Sequence, residues 1–150
     1  MPNICSNYLR VKGQPDAATE FLVRLQSGGF GSFIPEPLDS DNEWRSRHWG
    51  DKWDIGDHCA VFDTEHLKCR FATAWQPPTE WFRHVAALYQ TLTLELWYEE
   101  SGYQLWGWMK SEDGIFTLAR EEPLSECDEG SDDCWEEGPM FERAASWYLD

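Results

Sequence analysis

The chain has 150 residues, 28 acidic against 12 basic side chains, and a formal net charge of −16. A single domain of this size buries roughly 70% of its extended surface, so a core can form without metal or disulfide support. Such a charge disfavours nucleic acid and anionic membrane as partners, and no run approaches the ~18 apolar residues of a membrane span.

The acid is localised. Glu121 to Asp150 holds eleven acidic residues and one base, whereas residues 1–120 hold seventeen acids and eleven bases. Ten Trp, eight Phe and five Tyr predict a thin core filled by large rings, with some rings left as surface anchors. The five cysteines, Cys5, Cys59, Cys69, Cys127 and Cys134, form no C-x-x-C pair and follow no signal peptide. Reduced thiols and a cytoplasmic location are expected.

In chain order, Cys5, Leu9 and Val11 alternate with polar residues and predict a strand ended by Gly13 and Pro15. Asp16 is expected to cap a helix with Ala18, Phe21, Leu22 and Leu25 on one stripe and Ser27-Gly28-Gly29 as its stop. A loop from Phe30 to Asn42 leads to a helical turn at Trp44–Trp49. Two strands follow, Cys59–Asp63 and Lys68–Trp75. Gln76-Pro77-Pro78-Thr79 then opens a second helix with Phe82, Val85, Ala86 and Tyr89 as its stripe. Leu92, Leu94, Leu96 and Tyr98 alternate with Thr91, Thr93, Glu95 and Trp97, the clearest strand of the chain. Glu99-Glu100-Ser101-Gly102 is read as a turn into a strand at Tyr103–Lys110. Glu112-Asp113-Gly114 signals a hairpin returning as Ile115–Arg120. Glu121–Gly138 lacks periodicity and reads as loop, and Met140–Leu149 as a terminal helix.

The order strand–helix–strand–strand–helix–strand predicts an α+β fold of the ferredoxin-like kind. It is an antiparallel sheet with two helices on one face, extra C-terminal strands and an acidic C-terminal extension. The domain is placed at 1–120 and the extension at 121–150. The start M-P-N-I-C-S-N-Y-L-R-V-K-G, Trp49-Gly50-Asp51-Lys52-Trp53-Asp54, Thr73-Ala74-Trp75-Gln76-Pro77-Pro78, and Tyr98-Glu99-Glu100-Ser101-Gly102 leading to Trp106-Gly107 carry a family likeness. They resemble the YubB ferredoxin-like family of phage- and plasmid-borne proteins over residues 1–110. The resemblance implies this fold and a mobile-element origin, and carries over no catalytic residues. The stretch after Arg120 departs from the family pattern.

Two sites follow. Glu121, Glu122, Glu126, Asp128, Glu129, Asp132, Asp133, Glu136 and Glu137 form a base-free carboxylate array with Trp135 as an apolar anchor. Such an array can occupy a cleft built for the phosphates of duplex DNA, which carries one charge per ~1.7 Å of axis. The alternative is a small-ligand or nucleotide pocket from Trp49, Asp51, Lys52, Trp53, Asp54 and Trp75, against a purely structural role for that element. Cys59, His66 and Cys69 are the nearest approach to a ligand set, but their spacing matches no zinc framework, so no metal or cofactor is expected. No nucleophile elbow or phosphate loop is present, and no enzyme activity is expected. Trp97, Trp106 and Trp108 could form a base-stacking platform, but the charge opposes direct nucleic-acid binding. The expected protein is a monomer or weak dimer in the host cytosol. It blocks a basic nucleic-acid-binding site on a host defence protein, such as a CRISPR effector or restriction enzyme.

Overall fold

The computed structural model describes residues 3–55, 60–100 and 105–123, and for 105 and 118–123 the backbone alone. Six strands and three helices follow one another as β1 (Ile4–Lys12), α1 (Pro15–Gly28), α2 (Asn42–His48), β2 (Ala60–Asp63), β3 (Lys68–Ala74), α3 (Thr79–Leu88), β4 (Thr93–Glu100), β5 (Leu105–Glu112) and β6 (Ile115–Pro123). They form one sheet in the order β2-β3-β1-β4-β5-β6, and every pairing is antiparallel. The first four of these positions are the split βαβ arrangement. The other two strands extend the sheet beyond β4.

Alternation decides which face is covered. Cys5, Leu9 and Val11 of β1, Cys69 and Phe71 of β3, and Leu94, Leu96 and Tyr98 of β4 are buried in one cluster with Phe21, Leu22 and Leu25 of α1 and Trp81, Phe82 and Val85 of α3. Each such side chain contributes roughly 1.5–3 kcal/mol through apolar burial. Leu92, Leu94, Leu96 and Tyr98 are all at most 1% exposed, as their alternation predicts. Rings fill the middle: Phe30 lies 4.9 Å from Trp81 and 5.7 Å from Phe71 between centroids, and Phe21 lies 5.0 Å from Tyr89.

Local chemistry departs from expectation in four places. The cap of α1 is Gln14, whose Oε1 accepts from Ala17 N at 2.8 Å. Pro15, lacking an N–H, suits the first helical position, which moves the cap back and leaves Asp16 in the first turn. The turn expected at Trp44–Trp49 is part of a third helix, α2, which Trp49 ends as C-cap and Asp41 opens as N-cap, accepting from Trp44 N at 2.9 Å. Glu99 and Glu100 remain in β4, because they pair with Ser6 and Cys5 of β1. Finally, β6 does not stop at Arg120. Glu121, Glu122 and Pro123 pair with Gly107, Trp106 and Leu105 after a register shift at Trp108/Met109, so these three residues are strand where a loop was expected. The hairpin at Asp113-Gly114 is as expected, both residues having positive φ (54° and 78°), the condition of the tight turn that suits strand twist. Ser101 and Gly102 of the expected turn, and the helix expected at Met140–Leu149, lie outside the described residues.

Candidate functional site

Between α2 and β2, the Trp49–Asp54 element occupies structural positions. Trp49 is fully buried, its Nε1 donates to Ile34 O at 3.0 Å, and its carbonyl accepts from Trp81 N at 3.1 Å. Gly50 has φ 81°, and its carbonyl accepts from Gln76 Nε2 at 2.8 Å. Asp51, 2% exposed, accepts from Ala74 N at 2.8 Å. Asp54 Oδ1 accepts from the backbone N–H of Phe30 and of Ile55, each at 2.7 Å. The carboxylates thus satisfy backbone donors that would otherwise be orphaned by burial. Lys52 contributes its carbonyl to Arg45 Nη1 at 3.3 Å, and Trp53 is half-buried. Trp75 is 41% exposed and adopts a positive φ of 73°, an uncommon conformation for a bulky residue. Arg70 stands on the sheet opposite Tyr8 and Val61.

A cavity of about 280 Å³ beside α2 has Asp39, Asp41, Glu43, Trp44 and Arg47 in its lining. Two of its acids serve the helix: Asp41 caps it and Glu43 pairs with Arg47.

Of the thiol–imidazole set, His66 and Cys69 lie among the described residues. His66 is exposed and bonds Asp63 Oδ2 through Nδ1 at 2.8 Å, whereas Cys69 is buried in the core. Cys59 lies outside the described residues. Among the described residues, no group of three or more His, Cys, Asp or Glu could hold a metal ion. Burial pushes the thiols of Cys5 and Cys69 far above their ordinary value of 9.0. Both are expected to resist iodoacetamide in native protein and to react after denaturation, as peptide mass mapping would record. Because the folded state holds these protons more tightly, their contribution is intact below about pH 9. It declines as pH rises past that value, where the unfolded thiols ionise. Labelling of Cys69 at the unfolded rate in native protein would place it outside the core.

The face of the sheet turned away from α1 and α3 is more distinctive. Across β3, β1, β4 and β5 one row reads Arg70, Tyr8, Trp97, Trp108, and the next reads Lys68, Arg10, Glu95, Lys110. The Arg10 guanidinium lies 5.8 Å from the Trp97 ring centroid. Lys12 Nζ meets Glu95 Oε1 at 3.1 Å, and Lys110 Nζ meets Glu112 Oε2 at 3.4 Å. Glu99, opposite Ser6 and Trp106, has its carboxyl raised by burial. Five of the chain's twelve Lys and Arg residues, Arg10, Lys12, Lys68, Arg70 and Lys110, thus share one sheet face. The tryptophans were legible as a platform from sequence. The cations were not, because three separate strands supply them. Strand parity combined with the predicted antiparallel order would have found them.

Of the carboxylate array, Glu121 and Glu122 occupy the edge strand β6. Glu126, Asp128, Glu129, Asp132, Asp133, Trp135, Glu136 and Glu137 lie outside the described residues. Among the described residues, no helix is long and apolar enough to cross a membrane.

A family model described as the ferredoxin-like domain in Api92-like protein matches residues 48–134, well over half of the chain. The match continues past Arg120, so the first part of the acidic stretch falls within the family domain. No curated protein matches. Among solved structures, the crystal structure of protein api92 from Yersinia pseudotuberculosis is similar at 16% identity, with a TM-score of 0.46. The alignment covers 63% of this chain and 40% of that one, so the chain spans about two-fifths of that protein's length.

Proposed function

This chain belongs to the family of ferredoxin-like domains in Api92-like proteins, and we propose that it is a non-enzymatic inhibitor that presents carboxylates to the nucleic-acid site of a basic host protein. The observation that carries this reading is the partition of charge. The last thirty residues hold eleven acids and one base, and they begin on an ordered edge strand at Glu121 and Glu122. An array launched from a fixed strand approaches its partner with fewer conformations to lose than a free tail. Carboxylates at this density meet arginines and lysines that otherwise grip phosphate, and Trp135 supplies an apolar contact at the centre. The likeness of residues 1–110 to proteins of phages and plasmids favours a defence protein in the host cytosol, such as a CRISPR effector or restriction enzyme, as the partner. The Trp49–Asp54 element is read as scaffold, since its polar groups bond the chain's own backbone.

Capture of host proteins from nuclease-treated lysate on the immobilised chain tests this. Duplex DNA is expected to elute the captured partner, and binding should fall steeply with salt, since exposed charges are screened over ~8 Å at physiological ionic strength. Trp135→Ala should weaken binding by about 2 kcal/mol or more if the ring is a hot spot. A partner held equally well in high salt and indifferent to DNA would contradict charge mimicry.

A further inference from the structure

On the face of the sheet turned away from α1 and α3, one carboxyl differs from its neighbours. Among the described residues, Glu95 pairs with Lys12, Glu112 with Lys110 and Asp63 with His66. Glu99 takes part in none of these pairs, and burial alone raises its carboxyl.

The positions around Glu99 are held by rings. Trp97 precedes it by two residues on β4 and so shares its face. Across the pairing with β5, Glu99 stands opposite Trp106, and Trp97 opposite Trp108. Directly opposed residues have Cβ atoms ~5 Å apart and diagonal ones ~7–8 Å, within reach of an indole. On the other side, β1 sets Ser6 opposite Glu99 and Tyr8 opposite Trp97. Trp106 is 3% exposed, and Tyr8, Trp97, Trp108 and Glu99 itself are half-buried. Among the described side chains, the cations of this face stand away from Glu99. Lys68, Arg10 and Lys110 share the row of Glu95, Lys12 lies beyond that row, and Arg70 lies past Tyr8 on β3. The Arg10 guanidinium, 5.8 Å from the Trp97 centroid, shows that this ring accepts a cation.

We propose that Tyr8, Trp97, Glu99, Trp106 and Trp108 form a binding site for a quaternary ammonium group. The site belongs to the sheet and stands independently of what the acidic segment binds. Its chemistry selects the ligand. The face of an aromatic ring attracts a cation through its quadrupole, indole most strongly. Glu99 supplies the countercharge, and a cation beside it favours its ionised form. A primary ammonium or a guanidinium brings several N–H donors. Among rings, with one carboxyl and the Ser6 hydroxyl at hand, donors left without acceptors cost free energy. A quaternary ammonium has no donor to satisfy and turns methyl groups to the rings. Such a group arrives either on a small molecule of the choline kind or on a trimethylated lysine of another protein.

Isothermal titration calorimetry of the full chain tests this with four probes. They are choline, its neutral isostere with a quaternary carbon in place of nitrogen, and the amides of N-acetyl-lysine and N-acetyl-trimethyl-lysine. Choline is expected to bind about tenfold or more tightly than the isostere, since charge alone separates them. The trimethylated lysine is expected to bind several-fold more tightly than the unmethylated one. Whichever of choline and the trimethylated lysine binds tighter identifies the source. Glu99→Gln and Trp97→Leu should each lower choline affinity several-fold, whereas Glu95→Gln should leave it unchanged. Choline should also move the indole N–H resonance that disappears in Trp97→Leu. Absence of choline binding, equal binding of the isostere or equal binding of unmethylated lysine would each overturn the proposal. So would choline affinity unchanged in Glu99→Gln and Trp97→Leu.

Discussion

Leu94→Asp is expected to unfold the domain. Leu94 is fully buried, and on β4 it sits opposite Val11 of β1 and Ser111 of β5, in the middle of the sheet. Truncation alone, as in Leu94→Ala, should cost about 2–5 kcal/mol through lost transfer energy and the cavity left behind. Aspartate adds a carboxylate with no partner in an apolar layer, a further cost of several kcal/mol. The total reaches the ~5–15 kcal/mol by which a domain is stable at all. Circular dichroism should show a cooperative melt for the native chain, a lowered one for Leu94→Ala, and none for Leu94→Asp. An unchanged melt for Leu94→Asp would mean that the faces of β4 are assigned the wrong way round.

Gly50→Ala is expected to destabilise by about 2–5 kcal/mol, a large effect for one methyl group. Gly50 has φ 81°, where an L side chain costs roughly 1–2 kcal/mol. A Cβ built there would lie 2.9 Å from Thr79 N and 3.1 Å from Glu80 N. Those atoms belong to the first turn of α3, which cannot retreat without disturbing the bond from Trp81 N to Trp49 O. Overpacking of this kind adds roughly 1–3 kcal/mol. Urea unfolding would measure the loss. Lys52→Ala, two residues on, should move stability by no more than about 0.5 kcal/mol, because its side chain is only half-buried. Equal losses in the two variants would argue that Lys52 holds the element together.

The contrast between these two positions shows where sequence reading succeeded. Leu94 was legible because a period of two needs only its own strand. The helices were legible from their stripes. The cap of α1 was misread because Pro15 changes where the helix begins, and the extent of β6 was missed because pairing with β5, rather than local pattern, holds Glu121–Pro123 in the sheet. At Trp49–Asp54 the residue types suggested either ligand chemistry or structure. Only the contacts of Asp51 with Ala74 and of Asp54 with Phe30, over long sequence separations, assign the carboxylates to the backbone. The cations on the face turned away from α1 and α3 were hidden for the same reason, since Arg10, Arg70 and Lys110 come to share that face only after strands from distant parts of the chain pair. The acidic segment was plain from composition alone, as charge density requires no fold to be read.

Binding through that segment is tested most directly by one comparison. The full chain and its variant with Glu126, Asp128, Glu129, Asp132 and Asp133 changed to lysine are immobilised at equal density, after melts confirm that both are folded. Capture of protein from the same nuclease-treated host lysate is then measured. The native chain is expected to retain a basic protein that duplex DNA displaces, and the variant is expected to lose it. Equal capture of that protein by both chains would contradict the assignment of binding to the carboxylates.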